Sequence, residues 1–138
     1  MTESGPTGLF VGLLGGRITV RHALVIEDNH LVAMMIEEEL LEHGYDSVEI
    51  STSQEQAIAM ATARCPNLIT VDDKLDSGSG VEAIREICRH QALPVVFITA
   101  DPDAIKLSLP DAIIVPKPFA RAQLTVAIEA ALRAPMAF

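Results

Sequence analysis

Short apolar runs alternate with longer segments of helical periodicity along residues 22–133 of the chain. The apolar runs predict five strands, at about residues 22–27, 46–51, 67–72, 94–99 and 111–115. The periodic segments predict helices at about residues 30–43, 54–64, 79–90 and 119–133, and the proline-bounded residues 101–110 can hold little more than about two helical turns. Strands that are mostly apolar and alternate with helices are typical of a parallel sheet covered on both faces. The sequence therefore predicts a doubly wound α/β domain.

The first predicted helix carries Leu31, Met34, Met35 and Leu41 at helical spacing. It also contains a run of three glutamates, residues 37–39. Charge runs within a helix are typical of a solvated face, so all three glutamate side chains are expected to be exposed.

The first part of the chain differs from the rest. Residues 8–16 are apolar but contain four glycines, and they are too few for a membrane-spanning helix, which needs about 20 residues. No basic residue precedes them, as one would in a signal peptide. We expect residues 1–20 to form a flexible extension, residues 21–134 one domain and residues 135–138 a short tail. An added strand or a segment that docks on a partner is the alternative for residues 1–20, and no membrane association is expected.

The composition and net charge of the chain argue against some classes of function. The chain has 138 residues, 49% of them hydrophobic, and a formal net charge of −9. Nucleic-acid binding depends on clustered basic residues, so this acidic chain is not expected to bind nucleic acid. Cys65 and Cys88 lack the spacing of a zinc site and are expected to be reduced, which indicates a cytoplasmic protein.

Polar side chains end four of the predicted strands. The first strand ends in the acidic pair Glu27 and Asp28, and Asp72 ends the third. Thr99 ends the fourth strand, and Lys117 follows the fifth. In open parallel sheets ligands bind at the carboxyl ends of the strands, so these five side chains are expected to share one pocket.

These side chains indicate phosphoryl chemistry. Carboxylates of Glu27, Asp28 and Asp72 in one pocket repel one another unless a hard cation such as Mg²⁺ lies between them. Asp72 can then act as a nucleophile that forms an aspartyl phosphate. Lys117 offers a positive charge and Thr99 a hydroxyl to the phosphoryl oxygens.

Asp73 is the alternative nucleophile. The alternation of side chains along a strand places Asp72 and Asp73 on opposite faces. We therefore expect Asp73 to contact a neighbouring loop or helix rather than the pocket.

Four motifs occur in order, at residues 25–29, 66–72, 96–100 and 115–119. They resemble the acidic pair, the phosphoacceptor strand, the hydroxyl motif and the Lys-Pro-Phe motif of bacterial response regulator receiver domains. The resemblance covers residues 22–133, about four fifths of the chain. It implies a flavodoxin-like (βα)5 fold, a doubly wound parallel five-stranded sheet of order 2-1-3-4-5.

The resemblance also implies roles. Asp72 corresponds to the phosphoacceptor, and Mg²⁺ would be bound by Glu27, Asp28, Asp72 and the backbone carbonyl of Lys74. A histidine kinase or a histidine phosphotransfer protein would be the phosphoryl donor in a two-component phosphorelay. Because no output domain is expected, the protein is predicted to be a stand-alone receiver that switches protein–protein contacts. It would catalyse at most its own phosphorylation and dephosphorylation.

The sequence departs from this family in the segment between Thr99 and Lys117. That segment has only 17 residues, and Ile114 stands where the family usually has a switch aromatic. The usual coupling from the hydroxyl to an aromatic side chain is therefore not expected. Residues 97–100 partly resemble an alphaproteobacterial receiver subfamily linked to general stress signalling.

Other expectations concern the rim of the pocket. By resemblance, Lys74 and Asp101 flank the route of the attacking water, and we expect a salt bridge between them that slows dephosphorylation. Asp76 replaces a frequent proline, which predicts a looser turn. The resemblance allows a cis Lys117–Pro118 bond.

Two alternatives belong to other classes. Aspartyl-phosphate hydrolases of the haloacid dehalogenase type carry a second Asp where this chain has Lys74, and they carry a cap domain for which this chain has no room. A receiver-like module that binds partners without phosphorylation would lack some of the acids, the hydroxyl or the lysine, and here all are present.

Overall fold

The computed structural model describes residues 20–138. The expected extension at residues 1–20 lies outside the described residues except for Val20. Within residues 20–138 no helix is long and apolar enough to cross a membrane.

Strands and helices alternate strictly along the described chain. The strands are β1 (His22–Ile26), β2 (Ser47–Ser51), β3 (Leu68–Val71), β4 (Val95–Thr99) and β5 (Ile113–Pro116). The helices are α1 (His30–Glu42), α2 (Gln54–Ala63), α3 (Gly80–Ile87), α4 (Pro102–Ser108) and α5 (Arg121–Arg133). The prediction is least accurate at α3, which ends earlier because the chain must turn back to an extended segment at Pro94, before β4.

The five strands form one parallel sheet in the order β2-β1-β3-β4-β5. This order confirms the predicted flavodoxin-like fold. Ile26 of β1 pairs with Val71 of β3, and Thr99 of β4 pairs with Pro116 of β5. The residues that follow these strands therefore emerge side by side at one edge of the sheet.

Helices cover both faces of the sheet and bury an apolar core on each. On one face α1 and α5 pack against the sheet through Ile36, Leu40, Leu124 and Ile128. On the other face α2, α3 and α4 pack through Ala57, Ile84 and Ile105. The sheet is thus packed between two helical layers, with its strand ends side by side at one edge.

The apolar stripe recognised in α1 faces solvent. Leu31 is 73% exposed, and Met34, Met35 and Leu41 are exposed as well. Neighbouring apolar residues, among them Ile36, face the core instead. Because the start of α1 is apolar on nearly every side, its periodicity predicts a helix but does not identify the buried face.

The expectation that all three glutamates of α1 are exposed is wrong for Glu39. Its side chain is buried between α1 and α5, where Arg121 Nε lies 2.7 Å from Oε1 and Thr125 Oγ1 lies 3.0 Å from Oε2. Arg121 also binds Glu42 at 2.7 Å. A buried carboxylate with two donors is satisfied, so Glu39 links two helices rather than facing water.

The end of the chain folds back onto the domain. Backbone hydrogen bonds of 2.9 and 2.7 Å join Leu93 and Met136. The guanidinium of Arg85 lies 5.3 Å from the centre of the Phe138 ring, within the range of a cation–π contact. Residues 135–138 are therefore packed against the segment before β4.

Candidate functional site

Three carboxylates converge at the carboxyl edge of the sheet. Glu27 and Asp28 directly follow β1 and Asp72 directly follows β3, so the pairing of these two strands brings them together. One oxygen from each of the three lies within 4.8 Å of the other two. Glu27 and Asp72 are buried, and Asp28 is half-buried. The three predicted acids therefore form one cluster.

Lys117 contacts two of these acids. Its Nζ donates a 2.8 Å hydrogen bond to Asp72 Oδ2 and lies 2.9 Å from Glu27 Oε1. The lysine follows β5, and the peptide bond between it and Pro118 is cis, as the family resemblance allows. Among the described residues, Lys117 is the cation placed directly against the acidic cluster.

One ammonium does not balance the charge of this cluster. Burial raises the pKa of Asp72, and the hydrogen bond from Lys117 opposes that rise without cancelling it. Burial raises the pKa of Glu27 in the same way. Burial alone would lower the pKa of Lys117, but its contacts with Asp72 and Glu27 outweigh this effect and raise it. Three carboxylates face this one ammonium, so the cluster has excess negative charge when its acids are ionised.

The cluster fits a hard divalent cation. The available ligands are carboxylate oxygens, which Mg²⁺ prefers. The buried Oε1 of Glu27 faces Lys117 Nζ at 2.9 Å, an ion-pair contact. Oε2 of Glu27 accepts a 3.2 Å hydrogen bond from the backbone of Asn29, which orients the carboxylate. A cation between the acids would reduce the repulsion among the three carboxylates.

Thr99 lies in the pocket but contacts Asp73 rather than Asp72. Its Oγ1 donates a 2.7 Å hydrogen bond to Asp73 Oδ1 and accepts one of 2.9 Å from the backbone of Asp101. The expectation that Asp73 points away from the pocket is therefore wrong. It rested on strand alternation, but β3 ends at Val71, so alternation no longer determines the direction of the next two side chains.

The loop between β3 and α3 is held by hydrogen bonds. The backbone N–H of Lys74 donates to Asp72 Oδ1 at 3.2 Å, and that of Asp76 donates to Asp28 Oδ2 at 2.7 Å. The turn at Asp76 is therefore tied down rather than loose. Nζ of Lys74 lies 3.7 Å from Asp101 Oδ2, so the expected salt bridge is present.

Gly80 allows α3 to start against the backbone of Asp72. A Cβ atom at position 80 would overlap the carbonyl group of Asp72 and press on the side chain of Val71. The backbone N–H of Gly80 also donates to the Asp73 carbonyl oxygen at 3.0 Å. The glycine thus permits the close approach that shapes the loop.

Ile114 lies away from the acidic cluster. It belongs to β5, pairs with Phe97 of β4, and packs half-buried against the core beneath α4. Ile114, which stands where the family usually has a switch aromatic, therefore lies in an apolar environment.

Comparison with known proteins agrees with this geometry. The family model described as "Response regulator receiver domain" matches residues 23–129. The phyllosphere-induced regulator PhyR of Methylorubrum extorquens is 32% identical over 113 residues, which cover 79% of this chain and 42% of that protein.

Solved structures show the same likeness. The receiver domain of Erythrobacter litoralis PhyR has a TM-score of 0.75 at 29% identity, and the match covers 86% of this chain and 94% of that one. The anti-anti-sigma factor PhyR of Bartonella quintana has a TM-score of 0.72 at 31% identity, covering 85% of this chain and 49% of that one. This chain thus spans less than half of the whole-length PhyR proteins that it matches. Its motifs, its sheet order and these matches together show that the chain belongs to the response regulator receiver domain family of two-component signalling.

Proposed function

We propose that residues 21–134 act as a phosphoacceptor, and that Asp72 takes a phosphoryl group from a histidine kinase or a histidine phosphotransfer protein. The observation that carries this proposal is the position of Asp72. Its carboxylate is buried, lies in the acidic cluster and is hydrogen-bonded to Lys117 at 2.8 Å. Receiver domains as a class are signalling modules, which supports this role over that of an enzyme with a separate substrate.

The residues of the pocket fit the steps of the transfer. A carboxylate oxygen of Asp72 attacks the phosphorus atom while the bond from phosphorus to the donor histidine nitrogen breaks, and the electron pair leaves with the imidazole. Lys117 neutralises negative charge on the phosphoryl oxygens. The backbone N–H of Lys74 holds one oxygen of Asp72 and so orients the carboxylate. The transfer ends with one aspartyl phosphate.

Mg²⁺ belongs to the same proposal. Glu27, Asp28 and Asp72 would hold the ion, together with the backbone carbonyl of Lys74. When bound, Mg²⁺ supplies positive charge that offsets the charge of the transferred group. The convergence of three carboxylates against one ammonium supports a metal at this position.

The proposed output is a change in protein–protein contacts. The similar Bartonella protein is called an anti-anti-sigma factor, which is a regulator that acts on other proteins. The acidic composition of this chain is consistent with protein partners and not with nucleic acid. The only catalysis we propose is that of the protein's own phosphorylation and dephosphorylation.

Treatment with acetyl phosphate or with a phosphorylated histidine kinase tests the proposal. The wild-type protein should gain one phosphoryl group in Mg²⁺ and none in excess EDTA, as measured by intact mass. Asp72→Asn should remain unlabelled, whereas Asp76→Asn, which removes an exposed acid from the same loop, should be labelled normally. An unlabelled wild-type protein that still binds its partners would favour the phosphorylation-independent module.

A further inference from the structure

The hydroxyl group of Thr99 is fully engaged in this structure. Thr99 is completely buried, and its Oγ1 donates to Asp73 and accepts from the backbone of Asp101. A hydroxyl group carries one proton. While that proton lies on the hydrogen bond to Asp73, Thr99 has none to offer to a phosphoryl oxygen on Asp72.

We propose that Asp73 is a resting-state latch, a positioning residue that holds the Thr99 hydroxyl until a phosphoryl group on Asp72 displaces it. The inference rests on the proposed phosphorylation of Asp72. The proton stays on Thr99 Oγ1 throughout, and only its acceptor changes, from Asp73 Oδ1 to a phosphoryl oxygen. No covalent bond forms or breaks in this exchange.

Asp73 and the phosphoryl group compete for the proton of the Thr99 hydroxyl group. The 2.7 Å hydrogen bond joins a buried hydroxyl to a carboxylate, and hydrogen bonds to charged acceptors are stronger than neutral ones. The phosphoryl group must therefore displace a good acceptor rather than fill an empty position. Once displaced, the Asp73 carboxylate repels the phosphoryl group and has to turn outward.

The connection of Asp73 to α3 gives the latch a direction. Its carbonyl oxygen accepts the N–H of Gly80, the first residue of α3. Release of the Asp73 side chain therefore disturbs the loop that leads from β3 into α3. This loop follows β3, which lies on one side of β4, whereas Ile114 lies in β5 on the other side. This chain thus has a route from the hydroxyl to the surface that does not need a switch aromatic.

Binding of beryllofluoride, which mimics a phosphoryl group on a carboxylate, tests the latch in the presence of Mg²⁺. Asp73→Ala frees the Thr99 hydroxyl and should tighten beryllofluoride binding about tenfold, equivalent to about 1.4 kcal/mol. Asp73→Asn removes the charge but keeps an oxygen that can accept the same hydrogen bond, so it should tighten binding less. Asp103→Ala is the control, because it removes an exposed acid of α4, outside the loop that orients the metal ligands, and should leave affinity unchanged.

A double-variant comparison separates the latch from simple charge repulsion. In a Thr99→Ala background, Asp73→Ala should change affinity by less than about threefold, since there is no hydroxyl left to release. An equal gain in both backgrounds, or no gain from Asp73→Ala in the wild-type background, would overturn the latch while leaving the phosphorylation of Asp72 intact. Failure of the wild-type protein to bind beryllofluoride would overturn both proposals.

A measurement on the unaltered protein makes the test independent of variant folding. NMR of the Thr99 hydroxyl proton should show a hydrogen bond to the Asp73 carboxylate in the resting protein. Saturation with Mg²⁺ and beryllofluoride should abolish that hydrogen bond and change the chemical shift of the Asp73 carboxyl carbon. Persistence of the hydrogen bond between Thr99 and Asp73 in the saturated protein would overturn the latch.

Discussion

The backbone N–H of Asp76 donates a 2.7 Å hydrogen bond to Oδ2 of Asp28, which lies 48 residues earlier in the chain. The loop after β3 thereby orients a carboxylate that follows β1. Groups that orient metal ligands contribute strongly to metal affinity, although they do not touch the metal themselves. Asp76 stands where receiver domains often have proline, which has no N–H to donate.

Asp76→Pro should therefore weaken Mg²⁺ binding about tenfold, because it removes the donor that orients Asp28. Isothermal titration with Mg²⁺ measures the effect. Asp76→Ala keeps the backbone N–H and should bind Mg²⁺ like the wild-type protein. Equal affinities in Asp76→Pro and the wild type would show that the hydrogen bond to Asp28 does not contribute to metal binding.

Lys117→Ala should slow the phosphorylation of Asp72 by about 10²-fold, because the charge that stabilises the transferred group is lost. The protein should remain folded, because neither of the two apolar cores includes Lys117. Initial rates with acetyl phosphate and circular dichroism measure the two effects. Lys106→Ala, at an exposed lysine of α4, serves as the control, and a wild-type rate in Lys117→Ala would remove Lys117 from the mechanism.

The salt bridge between Lys74 and Asp101 should act on kinetics rather than on stability. Both side chains are largely exposed, so the pair contributes about 0–1 kcal/mol. Asp101 also caps α4 through a hydrogen bond from Ala104, so Asp101→Asn is the better variant because it keeps an acceptor for that bond. Lys74→Ala and Asp101→Asn should each speed the decay of the aspartyl phosphate with little change in melting temperature. Unchanged decay in both variants would mean that the pair does not obstruct water.

Glu39 should contribute stability that depends on pH. Burial alone would raise the pKa of Glu39, but hydrogen bonds from Arg121 and Thr125 outweigh burial and lower it below 4.5. A carboxyl group with a lowered pKa stabilises the fold above its unfolded-state pKa, and this stabilisation is lost as the pH falls through the folded-state pKa.

Glu39→Gln should therefore lower the free energy of unfolding by about 1–2 kcal/mol at pH 7, and its stability should fall less steeply below pH 4.5 than that of the wild type. Urea unfolding across that range measures both. Glu38→Gln, which alters an exposed acid of the same helix, should follow the wild-type curve. Identical acid profiles for Glu39→Gln and the wild type would contradict this role.

The sheet and the acidic cluster were predictable because both follow from the order of elements along the chain. Once β1 and β3 are recognised as parallel neighbours, Glu27, Asp28 and Asp72 must emerge at the same edge. The buried face of α1 was not predictable in this way. Apolar side chains surround its first turns, so only the packing of α1 against the sheet and α5 decides that Ile36 is buried and Met35 is exposed.

The contacts of single polar side chains required the tertiary structure. Glu39 lies within a run of acids that resembles a solvated face, and its partner Arg121 is 82 residues away. Asp73 follows the residue at which β3 has already ended, so its direction depends on the loop and on Thr99. Local patterns determine which element a residue belongs to, but long-range partners determine where a charged side chain settles.

The most direct test of the central claim is to locate the phosphoryl group. Reduction of the phosphorylated protein with borohydride converts an aspartyl phosphate into homoserine, which peptide mass spectrometry assigns to a position. We expect homoserine at position 72 alone, after phosphorylation in Mg²⁺. Homoserine at position 73 or 28, or none in a protein that carries the phosphoryl group, would contradict it.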